Sequence, residues 1–404
     1  MKKQTHLLTF LIFLFYSLSA LQAYAEKTYG PGVTDTEIKI GQTMPYSGPA
    51  SSLGTMGKTE VAYFAMINAS GGINGRRITL ISLDDAYTPP KTFEQTRKLV
   101  EAEQVLALFS PLGTAANAAI HKYVNANKIP HLFIGSNLMR WADPEHFPWT
   151  IMTLRPPFQL EAKLFADHIL KVRPAAKIAV LYQNDDYGKD NLKGLKDALG
   201  EKAAIMIVAE ASYELTDPNI DSQIVTLKGS GADTFVEFTT TKFGAQAIRK
   251  TYDIGWKPLH LVAFLASSVS AVLRAAGLEK AVGVISSVVA KDPSDPQWHN
   301  DPALKEYLAW FKQWYPDGDP EAWNNVMGYN AAQLMVQVLK RCGDDLTREN
   351  LLRQATNIKD LQLPMMLPGI KINTSPTDYL PVEQAQMMRF DGERWVRFGE
   401  IVGR

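Results

Sequence analysis

The feature that most constrains this chain is an alternation, repeated about nine times, between short β-rich apolar runs and longer amphipathic stretches. The runs fall at residues 37–44, 77–85, 105–110, 130–135, 177–185, 204–213, 233–241, 259–265 and 281–290. Between them, apolar residues recur at three and four spacing over 58–69, 92–103, 114–127, 157–172, 187–199 and 242–254, which predicts helices. Nearly continuous apolar strands separated by helices of this length form parallel sheets covered on both faces, so the fold class is α/β. Nine such units exceed one comfortable open sheet, and two doubly wound lobes are expected. The Pro- and aromatic-rich segment 145–158 follows the first four strands and is the candidate for the first crossover between lobes.

After residue 290 the texture changes. A polar, Pro-rich loop at 291–302 precedes a helix carrying Trp310 and Trp314 and a second helix over about 321–340. Trp310, Trp314 and Trp323 are expected to pack helix on helix. The tail 385–402 alternates apolar and polar residues about Asp391-Gly392, which predicts a β-hairpin.

Residues 1–25 have the layout of an export signal: Lys2 and Lys3, an apolar stretch over 7–21, and the small-x-small triplet Ala23-Tyr24-Ala25. Cleavage after Ala25 and an exported protein starting near Glu26 are expected. No Cys follows the apolar stretch, so lipid attachment is not expected. Removing this segment leaves 40 basic and 42 acidic residues. That balance offers no electrostatic footprint for nucleic acid or an anionic membrane. Cys342 is the single cysteine, so an exported chain of this kind is stabilised by core burial without an internal disulfide.

In doubly wound lobes, ligands bind at the carboxyl ends of the strands, so ligand-binding residues are expected there. The first strand enters a small-residue loop in which Ser47, Gly48, Ser51 and Ser52 offer hydroxyl and N–H groups; a plain turn with capping serines explains that loop equally well. The third leads through Leu112 and Gly113 to Thr114, placed as the N-cap of a helix whose free N–H groups suit a carboxylate; structural capping accounts for Thr114 about as often. The fourth ends at Gly135, Ser136 and Asn137. In the later repeats, Asp185 or Asp186 caps a helix with Tyr187 in its first turn, and Thr239, Thr240 and Thr241 close another strand.

Catalytic and cofactor motifs are absent. There is no G-x-x-x-x-G-K-[ST], no G-x-G-x-x-G after a strand and no G-x-S-x-G. The glycines of 71–76 stand between a helix and a strand, as a helix stop and turn. The His residues show no metal-ligand spacing. Asp84-Asp85 and Asp185-Asp186 sit where strands give way to turns, which favours capping over acid–base work. No cofactor, no metal site and no enzymatic activity are expected.

Taken in order, the segments 38–51, 71–85, 109–120, 128–136 and 177–190, with the loop after 231–238, resemble periplasmic solute-binding proteins of the leucine/isoleucine/valine class, which deliver solutes to ABC importers. The resemblance covers nearly the whole chain after residue 25. It implies two Rossmann-like doubly wound lobes joined by a three-stranded hinge, with one lobe formed by 26–152 plus 289–366 and the other by 153–288 plus 367–404. It also implies roles: Thr114 holds the ligand carboxylate with help from Gly135 and Asn137, and Tyr187 and Thr240 line the cleft from the second lobe. Ser47, Leu53, Leu112, Gly113, Ser136, Phe264 and Leu265 complete the expected ligand set. The family's first-loop Tyr is replaced here by Leu53 and its fourth-strand Thr by Asn137; the cysteines of the leucine binders match Tyr87 and Leu112.

Amino-acid binders of that class place an acidic residue near the stretch matching 261–268 to pair with the ligand ammonium, and this stretch has no Asp or Glu. A buried ammonium without a carboxylate partner is costly. The expected ligand is therefore a small organic molecule with a carboxylate and an apolar or aromatic body, without an α-ammonium. A branched-chain amino acid, an amide or urea, or an exported sensor role are the alternatives. The expected setting is the periplasm, as a monomer captured by an ABC permease in the inner membrane; no nucleic-acid partner is expected.

Overall fold

The computed structural model describes residues 27–403. The export signal and its cleavage point lie outside them. The first sheet contains five parallel strands: β1 Glu37–Met44, β2 Arg77–Asp84, β3 Leu108–Phe109, β4 His131–Ile134 and β5 Thr150–Met152, in the spatial order β2-β1-β3-β4-β5. β5 lies inside the segment expected to be a crossover. A three-residue strand flanked by Pro148 and Pro156 carries too little alternation to announce itself, and the crossover proper is 153–157.

The second sheet has seven strands: β6 Ile178–Gln183, β7 Ile207–Tyr213, β8 Thr234–Phe238, β9 Leu259–Val262, β10 Ile285–Val288, β11 Gln384–Phe390 and β12 Trp395–Gly403, in the order β12-β11-β10-β9-β8-β6-β7. Its first five members in sequence are parallel, and the C-terminal hairpin β11–β12 is added antiparallel at one edge. β6 and β8 are buried along nearly their whole length because both faces are covered by helices.

Crossing helices cover the faces: α1 Thr55–Ala69, α2 Pro89–Arg97, α3 Thr114–Ala126, α4 Phe158–Val172, α5 Asp186–Leu199, α6 Asp221–Gly229 and α7 Thr241–Asp253. After β10 the chain returns to the first sheet's side as α8 Pro302–Trp314, α9 Trp323–Cys342 and α10 Arg348–Ala355. These pack on α1. The Trp310 ring lies 5.9 Å from Tyr63 and 4.9 Å from Tyr329, and Thr59 Oγ1 donates to Asn325 Oδ1 at 2.9 Å. Trp310 is thus core, as aromatic spacing on a helix predicts.

Three segments therefore connect the two sheets. The second and third run side by side: Leu367 N donates to Val289 O and Lys291 N to Met365 O, both at 2.9 Å. Cys342 is buried and free, and burial pushes its thiol up to about 12, which keeps it un-ionised and unreactive.

Candidate ligand cleft

The cleft is built from the carboxyl ends of both sheets. Between β3 and α3, Leu112 bridges to Gly135, and Gly113 N donates to Gly135 O at 3.1 Å. Gly113 has φ 116°, and a Cβ there would stand 2.7 Å from the Tyr87 ring. This position therefore requires glycine. Gly113, not Thr114, is the N-cap, and Thr114 is the first residue of α3. The expected side-chain cap is corrected: with Gly113 in the cap position, no side chain there can accept a first-turn N–H. The N–H groups of the first turn lack intrahelical partners and face the cleft end of the helix.

Thr114 Oγ1 lies 3.0 Å from Ser136 Oγ, which itself accepts from Trp141 Nε1 at 2.9 Å. Ser136 can therefore pass its proton to Thr114 and leave the Thr114 hydroxyl proton for a ligand. From the second sheet, Asp185 caps α5 by accepting from Gly188 N at 3.1 Å. Tyr187 follows, its OH donating to Thr239 O at 3.1 Å and its ring meeting Phe158 edge-on at 5.0 Å. Thr240 is the N-cap residue of α7, with its hydroxyl 3.4 Å from Gln183 Oε1.

These elements enclose a space of about 30 Å³. It is lined by the expected residues Leu53, Leu112, Gly113, Thr114, Gly135, Tyr187, Thr240 and Leu265, and by Met56, Tyr87, Thr153, Arg155, Phe158, Asn324 and Met327, which sequence reasoning missed. Ser47 is not among them. Its N–H and hydroxyl are both taken by Asp84, at 3.1 and 2.6 Å, on the exposed rim. Ser136 stands behind Thr114. Asn137 and Phe264 line a neighbouring cavity instead.

Two of the missed residues set the site's chemistry. Tyr87, with φ 59°, lays its ring over Gly113, and its phenol faces the Thr114 N–H and the Gln183 side chain of the other sheet. Arg155 sits in the first crossover, and its side chain reaches both this space and the neighbouring cavity. Burial pulls its pKa down to about 10, so it stays charged at neutral pH. Its Nε is sealed from solvent and has no hydrogen-bond partner among the described residues. Among the described residues lining the cleft none is acidic, and Arg155 is the one cation.

Residues 261–268 hold no acid, yet a carboxylate does stand near Leu265. Glu161, from the first turn of α4, lies behind Phe264 and Leu265, with Oε1 accepting from Phe264 N at 2.8 Å and Ser287 Oγ at 2.6 Å. Burial pushes it up to about 7 against those bonds and the pull of Arg155. Nothing in 261–268 announces it, because it arrives from an element about a hundred residues earlier.

Two salt bridges join the first sheet's side to the second's. Arg140 pairs with Asp186, and Arg274 Nη1 meets Glu321 Oε2 at 2.6 Å. Among the described residues no group of His, Cys, Asp and Glu could hold a metal ion, and no helix is long and apolar enough to cross a membrane.

The family model for periplasmic binding proteins matches residues 37–394. The chain belongs to the periplasmic binding protein family. It is similar to the Leu/Ile/Val-binding protein homolog 7 of Brucella abortus (strain 2308), with 24% identity over 342 residues that cover 80% of this chain and 81% of the relative. In fold it is similar to a branched chain amino acid ABC transporter protein from Thermus thermophilus with bound valine (TM-score 0.81, 16% identity, 92% of this chain and 98% of that one). It is also similar to the fatty acid ABC transporter substrate-binding protein from Thermomonospora curvata (TM-score 0.75, 21% identity, 93% and 95%). The chain is a type 1 periplasmic binding protein, and the family's work is substrate binding for transport.

Proposed function

We propose that this protein is the extracytoplasmic solute-binding component of an ABC importer and that it captures a small carboxylate-bearing ligand with an apolar or aromatic body. The observation that carries the reading is the charge of the cleft: the part-buried Arg155 guanidinium is the one charged side chain among its described lining, and no acidic residue stands there. Buried charges persist where a partner compensates them. Glu161, itself pushed up to about 7, compensates Arg155 only in part, and a ligand carboxylate between Arg155 and the N-terminus of α3 completes the partnership, while Leu53, Leu112, Phe158 and Leu265 supply the apolar walls.

The lobes 26–152 plus 289–366 and 153–288 plus 367–404 would move as the two bodies. A benzoate-sized acid exceeds the roughly 30 Å³ enclosed here, so it enters with the lobes apart. Closure then follows because the ligand touches both lobes only in the closed form. Met56 and Met327, unbranched and adaptable, accommodate the body. The closed form, as a monomer in the periplasm, would be delivered to a permease in the inner membrane. A fatty acid, the ligand named for one fold neighbour, likewise carries a carboxylate without an ammonium.

The amino-acid alternative draws on Glu161. Its Oε1 already serves Phe264 and Ser287, and its raised pKa leaves it only partly ionised at pH 7. Arg155 is then the stronger charge, and it repels an ammonium. Mass spectrometry of the ligand released from protein purified under native conditions tests the reading: an organic acid is expected, and a branched-chain amino acid would contradict it.

A further inference from the structure

Behind Leu265 lies a second cavity of about 20 Å³, lined by Asn137, Arg155, Glu161, Phe264 and Ser287 among others. Arg155, Phe158 and Leu265 line both this cavity and the cleft, so these three side chains are the partition between them. The polar groups come from different bodies. Asn137 follows β4 of the first sheet, Arg155 belongs to the crossover, and Glu161 and Ser287 belong to the second sheet's side.

Asn137 is fully buried, yet its Oδ1 has no partner among the described residues. Its orientation is fixed, since Nδ2 donates to Arg155 O at 2.7 Å and reversing the amide would set two oxygens against each other. Asn137 and Arg155, each with one unmet polar atom, an acceptor and a donor, both line this one small space. Both ought to be satisfied in the working state, because buried polar groups without partners are rare and costly.

Size and charge select what satisfies them. About 20 Å³ admits roughly one oxygen-sized group, which leaves out a carboxamide or a second carboxylate. The Arg155 guanidinium excludes an ammonium, and the Asn137 oxygen and Glu161 disfavour an anion. A hydroxyl matches both, as a donor for Asn137 Oδ1 and an acceptor for Arg155 Nε.

We propose that this cavity is a subsite for a hydroxyl group carried by the ligand, so that the preferred ligand is a hydroxy acid. The proposal rests on the carboxylate reading above. It also constrains where the hydroxyl stands. One edge of the planar guanidinium would hold a carboxylate oxygen through an Nη and the hydroxyl through Nε, so the hydroxyl is on the carbon next to the carboxylate and not at the far end of the body. Because the hydroxyl would touch Asn137 on one lobe while standing beside Glu161 on the other, it adds contacts that only the closed form makes.

The test is calorimetric titration with 4-methylpentanoate, 2-hydroxy-4-methylpentanoate and 5-hydroxypentanoate, on the wild-type protein and on Asn137→Ala. In the wild type the 2-hydroxy acid is expected to bind about tenfold more tightly than the parent acid, the usual scale for satisfying a buried hydrogen-bonding group, and the 5-hydroxy acid to show no such gain. In Asn137→Ala the 2-hydroxy advantage should shrink to within about twofold while the parent acid still binds. Parent acid binding without a 2-hydroxy gain in the wild type overturns the subsite and leaves the carboxylate reading standing. Failure of all three acids to bind overturns both. If Asn137→Ala does not fold, a crystal structure of the wild type with the 2-hydroxy acid decides: a ligand hydroxyl in the cavity supports the proposal, and an ordered water retained there overturns it.

Discussion

Replacing Arg155 by Met separates binding from folding. Burial pulls the pKa of Arg155 down to about 10, and at about 1.4 kcal/mol per unit the fold disfavours the charged form by up to a few kcal/mol. Met fills much of the same volume without that cost, so ligand-free Arg155→Met should melt at the same temperature as wild type or higher. Binding should move the other way. Truncating one partner of a buried, hydrogen-bonded charge pair costs about 2–5 kcal/mol, so Kd for the best-binding acid should rise by a factor of roughly 30 to several thousand. Arg155→Lys keeps the charge without the planar fork and should fall between the two. Thermal melts without ligand and titration calorimetry check both halves. A variant that melts normally and binds the acid with unchanged Kd would refute the reasoning, and so would one that loses several kcal/mol of stability in the ligand-free state.

Glu60, fully buried against Gln42, is pushed up to about 8 by burial. The native state therefore keeps a proton that the unfolded chain loses above pH 4.5, so stability falls as pH rises from about 4.5 to 8. Glu161 adds a smaller effect of the same sign, ending near pH 7. Glu60→Gln should flatten this slope and raise the melting temperature at pH 8, measured by calorimetry at pH 5 and 8. Gly113→Ala forces an L residue into φ 116° and a Cβ into the Tyr87 ring. It should cost about 1–3 kcal/mol of stability by chemical denaturation and abolish acid binding. Arg140→Ala breaks a bridge whose side chains are 49% and 48% exposed, worth at most about 1 kcal/mol, so acid affinity should fall less than about fivefold by titration.

Thr114, Tyr187 and Thr240 were legible in the sequence because they follow parallel strands, and strand ends of this architecture face the cleft. Arg155 was not. It lies in a crossover without periodicity, and its position at the cleft depends on where two sheets meet. Tyr87 was hidden for a related reason: it enters the cleft through a left-handed backbone conformation that no residue type there announces. Ser47 looked like a ligand residue because its loop is rich in hydroxyls, and only the pairing of β1 with β2 brings Asp84 close enough to claim it. The α/β pattern came through almost whole, while β5 was lost between prolines, where three residues carry no recognisable alternation.

The central claim is that the cleft selects a carboxylate and rejects an α-ammonium. Titration of the wild-type protein with leucine and with 4-methylpentanoate, which differ only by that ammonium, tests it most directly. Binding of 4-methylpentanoate at least about tenfold tighter than leucine is the predicted result; tighter binding of leucine would contradict the account.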